Sequence, residues 1–165
     1  MQDILTCAMG LDVHRDIIVA CLVKGAVDAE PEAETRTFST LIPEMQKLRD
    51  WVIESECRNI AMESTGIYWQ PIYEMLESCF DGEISILVVN ARHMKNVPGR
   101  KTDIKDAQWI ATLLRAGLLK GSFIPDKAFR ELRHLTRYRK SVVHDITAQK
   151  NRIDKFLQSS GFRFT

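Results

Sequence analysis

Apolar positions in this chain change period several times, and each change predicts an element. Residues 6–13 and 17–23 are apolar runs separated only by His14-Arg15-Asp16. The second run is rich in β-branched residues, so the pair predicts two strands joined as an antiparallel hairpin. Residues 24–34 form an acidic loop, and residues 35–39 predict a third strand. Pro43 then opens a helix to about residue 55, with Met45, Leu48, Trp51 and Val52 on its apolar side. A short strand over 59–63 and the turn Ser64-Thr65-Gly66 precede a helix over 67–78, where Pro71 is tolerated in the first turn. Residues 83–89 are apolar at nearly every position, as expected of a parallel strand covered on both faces. A basic connection over 90–101 follows. From Thr102 to Gly117, Ile104, Ala107, Ile110, Ala111, Leu114 and Leu118 fall on one helical stripe.

From Pro125-Asp126 to about residue 159 no glycine or proline interrupts the chain. Leu132, Leu135, Arg139, Val142, Ile146, Gln149, Ile153 and Phe156 follow steps of three and four, a coiled-coil-like seam with two polar breaks. Such a helix reaches roughly 50 Å, too long for so small a domain to cover. It is expected to pack against a partner chain, as in a homo-oligomer, or against further protein. The expected architecture is a mixed α/β sheet flanked by helices, residues 1–122, followed by a basic helical extension, residues 123–165.

Charge sharpens this picture. The 165 residues carry a net charge of +1, yet residues 1–91 sum to −10 and residues 92–165 to +11. A basic half suggests a polyanionic partner; the plainer alternatives are attraction between the halves or a solvated basic helix. Arg92, Lys95, Arg100, Lys101 and Lys105 in the connection, and Arg133, Arg137, Arg139 and Lys140 on the long helix, are the candidate nucleic-acid contacts. They would grip a phosphate backbone without reading sequence. The four cysteines Cys7, Cys21, Cys57 and Cys79 contain no C-x-x-C pair and lie mostly in apolar runs. They are expected to be reduced, buried thiols of a cytoplasmic protein. No apolar run is long enough to span a bilayer.

The acids carry the chemistry. Asp12 ends the first strand after an apolar run, and Glu63 takes the same position on the fourth. Asp103 and Asp106, three residues apart, share one edge of a helix start. Neighbouring strands would bring Asp12 and Glu63 together, and the helix could lie across that edge. Four such carboxylates repel one another unless a cation neutralises them. Mg²⁺ or Mn²⁺, expected as a pair of ions, suits oxygen ligands and in-line phosphodiester chemistry. Each acid also has a plain role: Asp12 in the turn with His14, Glu63 as a helix cap, Asp103 and Asp106 at a helix N-terminus.

Gly10-Leu11-Asp12-Val13-His14, Met62-Glu63-Ser64-Thr65-Gly66, Val89-Asn90-Ala91-Arg92-His93-Met94-Lys95 and the run from Pro98 to Ala107 together resemble the N-terminal domain of DEDD insertion-sequence transposases. These are mobile-element recombinases described as bridge-RNA-guided. The resemblance implies a ribonuclease H-like, RuvC-like fold and puts the DEDD set on Asp12, Glu63, Asp103 and Asp106. It also implies DNA and a guide RNA as partners. Family members carry a further C-terminal domain with a nucleophilic serine; Ser159 and Ser160 lack that context, so the chain is expected to be the N-terminal half. The rival readings are a non-catalytic binding and dimerisation module and a RuvC-like Holliday-junction endonuclease. An actin-like phosphotransferase would need a glycine-rich phosphate loop, which Val13-His14-Arg15 does not supply.

Overall fold

The computed structural model describes residues 4–64, 66–90 and 106–163. The chain divides into two compact units, Met1–Phe123 and Ile124–Thr165. In the first, β1 (Cys7–Val13), β2 (Ile17–Lys24), β3 (Glu32–Ser39), β4 (Asn59–Glu63) and β5 (Ser85–Val89) form one sheet in the order β3-β2-β1-β4-β5. The first three strands pair antiparallel, while β1–β4 and β4–β5 are parallel. Among the described residues three helices accompany the sheet: α1 (Ile42–Glu54), α2 (Trp69–Phe80) and α3 (Asp106–Arg115).

Where the structure departs from the expected elements, the causes are local. β3 begins at Glu32 rather than residue 35, because its ladder with β2 runs without a break from Ile17–Ser39 to Lys24–Glu32. The acidic residues expected in a loop are thus the start of an edge strand, where charge discourages pairing with another chain. α2 begins at Trp69, two residues late, because residues 66–68 form a turn closed by the Gln70 amide donating to Ile67 O. β5 begins at Ser85, since Glu83 N–H still bonds Phe80 O at the end of α2. The start expected for the third helix, residues 102–105, lies outside the described residues.

Side-chain alternation divides the core into two layers. Ala8, Ala61 and Val89 pack with Ile110 and Leu114 of α3, and Cys21 and Val23 pack with Ala107 and Ala111. The intervening positions point the other way. Phe38 of β3 lies 6.1 Å from the Trp51 ring of α1, and its register partner is Ile18, whose own partner is Val13. The α1 face therefore carries Val13, Leu11 and Met9, all buried.

Arg115, the last residue of α3, is only 1% exposed. Its Nε donates to Leu5 O at 2.9 Å, and Nη2 donates to Gly25 O at 3.1 Å and Ala26 O at 2.5 Å. Its carbonyl accepts from the amides of Ile4 and Leu5. One side chain thus ties α3 to the segment before β1 and to the turn after β2. Beyond it, Gly117 takes φ +66°, and Leu118 N–H returns to Leu113 O, closing the helix end.

The second unit is built on one helix, α4 (Lys127–Ser159), 33 residues long. Asp126 caps it, accepting from the Phe129 amide at 3.0 Å. Every apolar member of the seam, Leu132, Leu135, Val142, Ile146, Ile153 and Phe156, is exposed. No helix among the described residues is long and apolar enough to cross a membrane.

Candidate active site

Strand register brings the first two acids together. β1 and β4 pair in parallel at Gly10–Ala61 and Leu11–Met62. The next step along both strands sets Asp12 beside Glu63, with backbones about 4.8 Å apart. Both follow by two residues a position that faces α3: Asp12 follows Gly10, and Glu63 follows Ala61. Their side chains therefore leave the sheet on the α3 side.

Gly10 determines how closely α3 approaches. A Cβ at this position would overlap the carbonyl oxygen of Ala107 and stand 2.5 Å from the amide nitrogen of Ala111. The helix backbone rests directly on β1, and Asp106, its first residue, precedes Ala107. Asp12, Glu63 and Asp106 thus share one end of the sheet and one face. Asp103 lies outside the described residues, as do Arg92, His93, Lys95, Arg100, Lys101 and Lys105.

The Asp12 side chain is 14% exposed, and its Oδ2 is 3.0 Å from Nε2 of His14, which is 55% exposed. An ionised carboxylate only accepts, so Nε2 carries the proton in this contact. From sequence, His14 is expected as a surface or satisfied histidine, with a metal neighbour or phosphate contact as the alternative. The signal for its contact with Asp12 is the period of two: residues 12 and 14 leave an extended chain on the same side. Glu63 is half-buried and Asp106 exposed.

These acids offer oxygen donors only, the chemistry that Mg²⁺ and Mn²⁺ prefer. Among the described residues, no three His, Cys, Asp or Glu side chains lie close enough together to hold one metal ion. The donor types fit such an ion; the complete set would include Asp103.

Other candidates separate by location. Arg133, Arg137, Arg139 and Lys140 are all exposed on α4. Arg130, on the same helix, is buried, its Nη1 donating to Pro125 O at 2.7 Å. Tyr68, Trp69 and Tyr73 could stack on bases but are expected from sequence to pack in the core; Trp69 and Tyr73 pack edge-to-face at 5.6 Å on α2, while Tyr68 is exposed. Among the cysteines, Cys21 and Cys57 are buried as expected, Cys7 is half-buried, and Cys79 is exposed. Cys79 departs from the expectation: it falls on the stripe of Ile72 and Leu76 but in the last turn of α2, where it is exposed.

The IS110-type DEDD family, described as Transposase, matches residues 9–161. The chain belongs to the DEDD transposase family. No curated protein matches this transposase. Among solved structures it is similar to Thermus thermophilus RuvC at 12% identity, covering 70% of this chain and 99% of that one, with a TM-score of 0.48. T. thermophilus RuvC in complex with Holliday junction substrate matches at 11% identity over 72% and 100% of the two chains, TM-score 0.48. The Fowlpox virus resolvase complex with Holliday junction DNA matches at 8% identity over 67% and 96%, TM-score 0.46. The transposase has the mixed five-stranded sheet expected from its sequence, three antiparallel strands continued by two parallel ones.

Proposed function

We propose that this chain carries the metal-dependent DNA-cleaving site of its transposase, used in strand cleavage and transfer of an insertion sequence. Asp12, Glu63, Asp103 and Asp106 are the carboxylates assigned to two Mg²⁺ or Mn²⁺ ions. One relationship supports the reading. Asp12 and Glu63 lie at the ends of adjoining parallel strands, on the face against which the helix beginning at Asp106 is packed. When bound, such ions would activate the attacking oxygen and stabilise the leaving oxygen of a phosphodiester. The chain itself supplies the rest. His14 orients the Asp12 carboxylate through its Nε2 hydrogen bond. Gly10 fixes the height of α3 above β1, and hence of Asp106 relative to Asp12.

DNA and guide RNA are the proposed partners. Arg92, Lys95, Arg100, Lys101 and Lys105 would border the site, and Arg133, Arg137, Arg139 and Lys140 would hold the backbone along α4. The exposed apolar seam of α4 supports self-association as a homo-oligomer in the cytoplasm. That same seam favours the second reading, a binding and dimerisation module without chemistry of its own.

Thermal melting with and without millimolar Mn²⁺ tests the site. Binding to the folded state adds about 1–3 kcal/mol at 10–100 times Kd. Asp12→Asn is expected to remove the shift while leaving the metal-free midpoint close to wild type. A midpoint that ignores Mn²⁺ in the wild-type chain would overturn the metal site. Salt-sensitive nucleic-acid binding without cleavage would then select the binding module. Cleavage of branched DNA irrespective of insertion-sequence ends would select a junction endonuclease.

A further inference from the structure

At the opposite end of the same two strands lies a pair of sulfurs. Cys7 is the first residue of β1, and Cys57 is in the turn that leads from α1 into β4. Both lie on the α1 side of the sheet: Cys7 by alternation with Met9, and Cys57 through its amide bond to Val52 O. The parallel register that sets Met9 beside Ile60, carried two residues back, sets Cys7 beside Arg58, the residue next to Cys57. Asn59 bridges the two residues: its Nδ2 donates to Cys7 O at 3.3 Å, and its carbonyl oxygen accepts from the Cys57 thiol at 3.3 Å. We propose that Cys7 and Cys57 form a redox couple that closes to a reversible disulfide when a hydroperoxide is present.

The surroundings divide the work between the two sulfurs. Cys7 is half-buried, and its register partner on β2 is Lys24. The neighbouring Cys57 thiol outweighs burial and, helped by the Lys24 charge, lowers the Cys7 thiol to about 7. The proximity of Cys7, together with burial, pushes Cys57 up, so that it keeps its proton. Cys7 is therefore the attacking thiolate and Cys57 the resolving thiol. Cys57 also lines a cavity of about 480 Å³, with Val52, Ile53, Arg58, Phe80 and Glu83 among its walls. Glu56, immediately before Cys57, holds φ +53°, so the backbone that must shift belongs to a turn and not to the β1–β4 ladder. Closure forms an S–S bond of about 2.05 Å.

The steps balance. The Cys7 thiolate attacks one peroxide oxygen; an S–O bond forms, the O–O bond breaks, and the departing oxide takes a proton. Cys7 is then a sulfenic acid. Cys57 gives up its proton and attacks the Cys7 sulfur; the S–S bond forms, the S–O bond breaks, and water leaves. Two electrons have passed from the two thiols to the peroxide. A dithiol reverses the change by exchange. The bond would tie together the two strands whose far ends carry Asp12 and Glu63, yet it lies about five residues, roughly 17 Å, from those acids. It does not depend on the metal proposal, because Asp12→Asn leaves both sulfurs in place.

The test uses the fully reduced chain, treated with one equivalent of hydrogen peroxide, quenched with N-ethylmaleimide, and mapped by mass spectrometry of its peptides. The expected product is an intramolecular Cys7–Cys57 cross-link, with Cys21 and Cys79 still alkylated, and a dithiol restores all four thiols. Exposure alone would favour Cys79, so oxidation there with Cys7 and Cys57 left free overturns the couple. A cross-link between two chains overturns it as well. A second measurement reads the influence of Cys57 on Cys7. Iodoacetamide alkylation of Cys7 in the reduced wild-type chain should rise with pH around a midpoint near 7. In Cys57→Ala that midpoint should move up toward the ordinary thiol value of about 8.5. The rate at pH 7 then falls about threefold, since loss of thiolate outweighs the gain in nucleophilicity. An unchanged midpoint in Cys57→Ala refutes the pairing, and if that variant does not fold, the wild-type map still decides.

Discussion

Gly10 and Ala107 are in backbone contact, and no side chain fits between them. This contact joins the central strand to the helix whose first residue is Asp106, while the strand itself reaches Asp12 two residues later. Gly10→Ala should therefore do two things at once. Overpacking is expected to cost about 1–3 kcal/mol in urea denaturation. The α3 backbone must also lift, so the stabilisation gained from Mn²⁺ should shrink. Loss of stability with a full Mn²⁺ shift would separate the packing role from the site.

Removing the carboxylates should act on chemistry and not on folding. Asp12→Asn and Glu63→Gln are expected to change the metal-free stability by less than about 1 kcal/mol, since both lie at strand ends. DNA strand cleavage with Mg²⁺ should fall by about 10³-fold, several kcal/mol of transition-state stabilisation. Single-turnover cleavage in either variant at the wild-type rate would dismiss the assignment.

His14 should matter less, and in a distinguishable way. Its ring meets the Asp12 carboxylate through Nε2 and is otherwise open to solvent, with 55% of the side chain exposed. His14→Ala is expected to weaken Mn²⁺ binding by about 10-fold to 100-fold, the usual effect of a group that orients a ligand. Isothermal titration reads it, and His14→Gln, which keeps a donor, should recover part of the loss.

Arg115 is the stability prediction. Its guanidinium bonds three backbone carbonyls from two separate segments. Arg115→Met keeps much of the bulk but leaves those acceptors to find other donors, for an expected loss of about 2–4 kcal/mol. Arg115→Lys, with a single ammonium point, should recover only part. Denaturation midpoints give the ranking.

On α4 the apolar seam and the basic residues should separate experimentally. Leu135→Glu or Ile146→Glu is expected to shift sedimentation toward the monomer without altering unfolding of the first unit. Replacing Arg133 or Arg137 should instead flatten the salt dependence of nucleic-acid binding, by about one unit of slope for each phosphate no longer neutralised.

Much of this is legible in residue order, because short-range physics governs it. β-branched runs and a three-residue link dictate the β1–β2 hairpin. The helical period picks out Met45, Leu48, Trp51 and Val52 as the buried side of α1, and those four are its buried residues. The uninterrupted seam foretells a long helix with an uncovered stripe. Motif order identifies the family.

Tertiary contacts decide the remainder. Nothing in its neighbours marks Arg115 as a buried anchor; its acceptors come from residues 5, 25 and 26, far away along the chain. The Cys7–Cys57 pairing depends on β1 and β4 being adjacent, which only the sheet order 3-2-1-4-5 establishes. The small residue at position 10 becomes meaningful once α3 lies across it. Periodicity and turn chemistry are properties of a segment and can be read there, whereas a close approach belongs to two segments and exists only after the chain has brought them together.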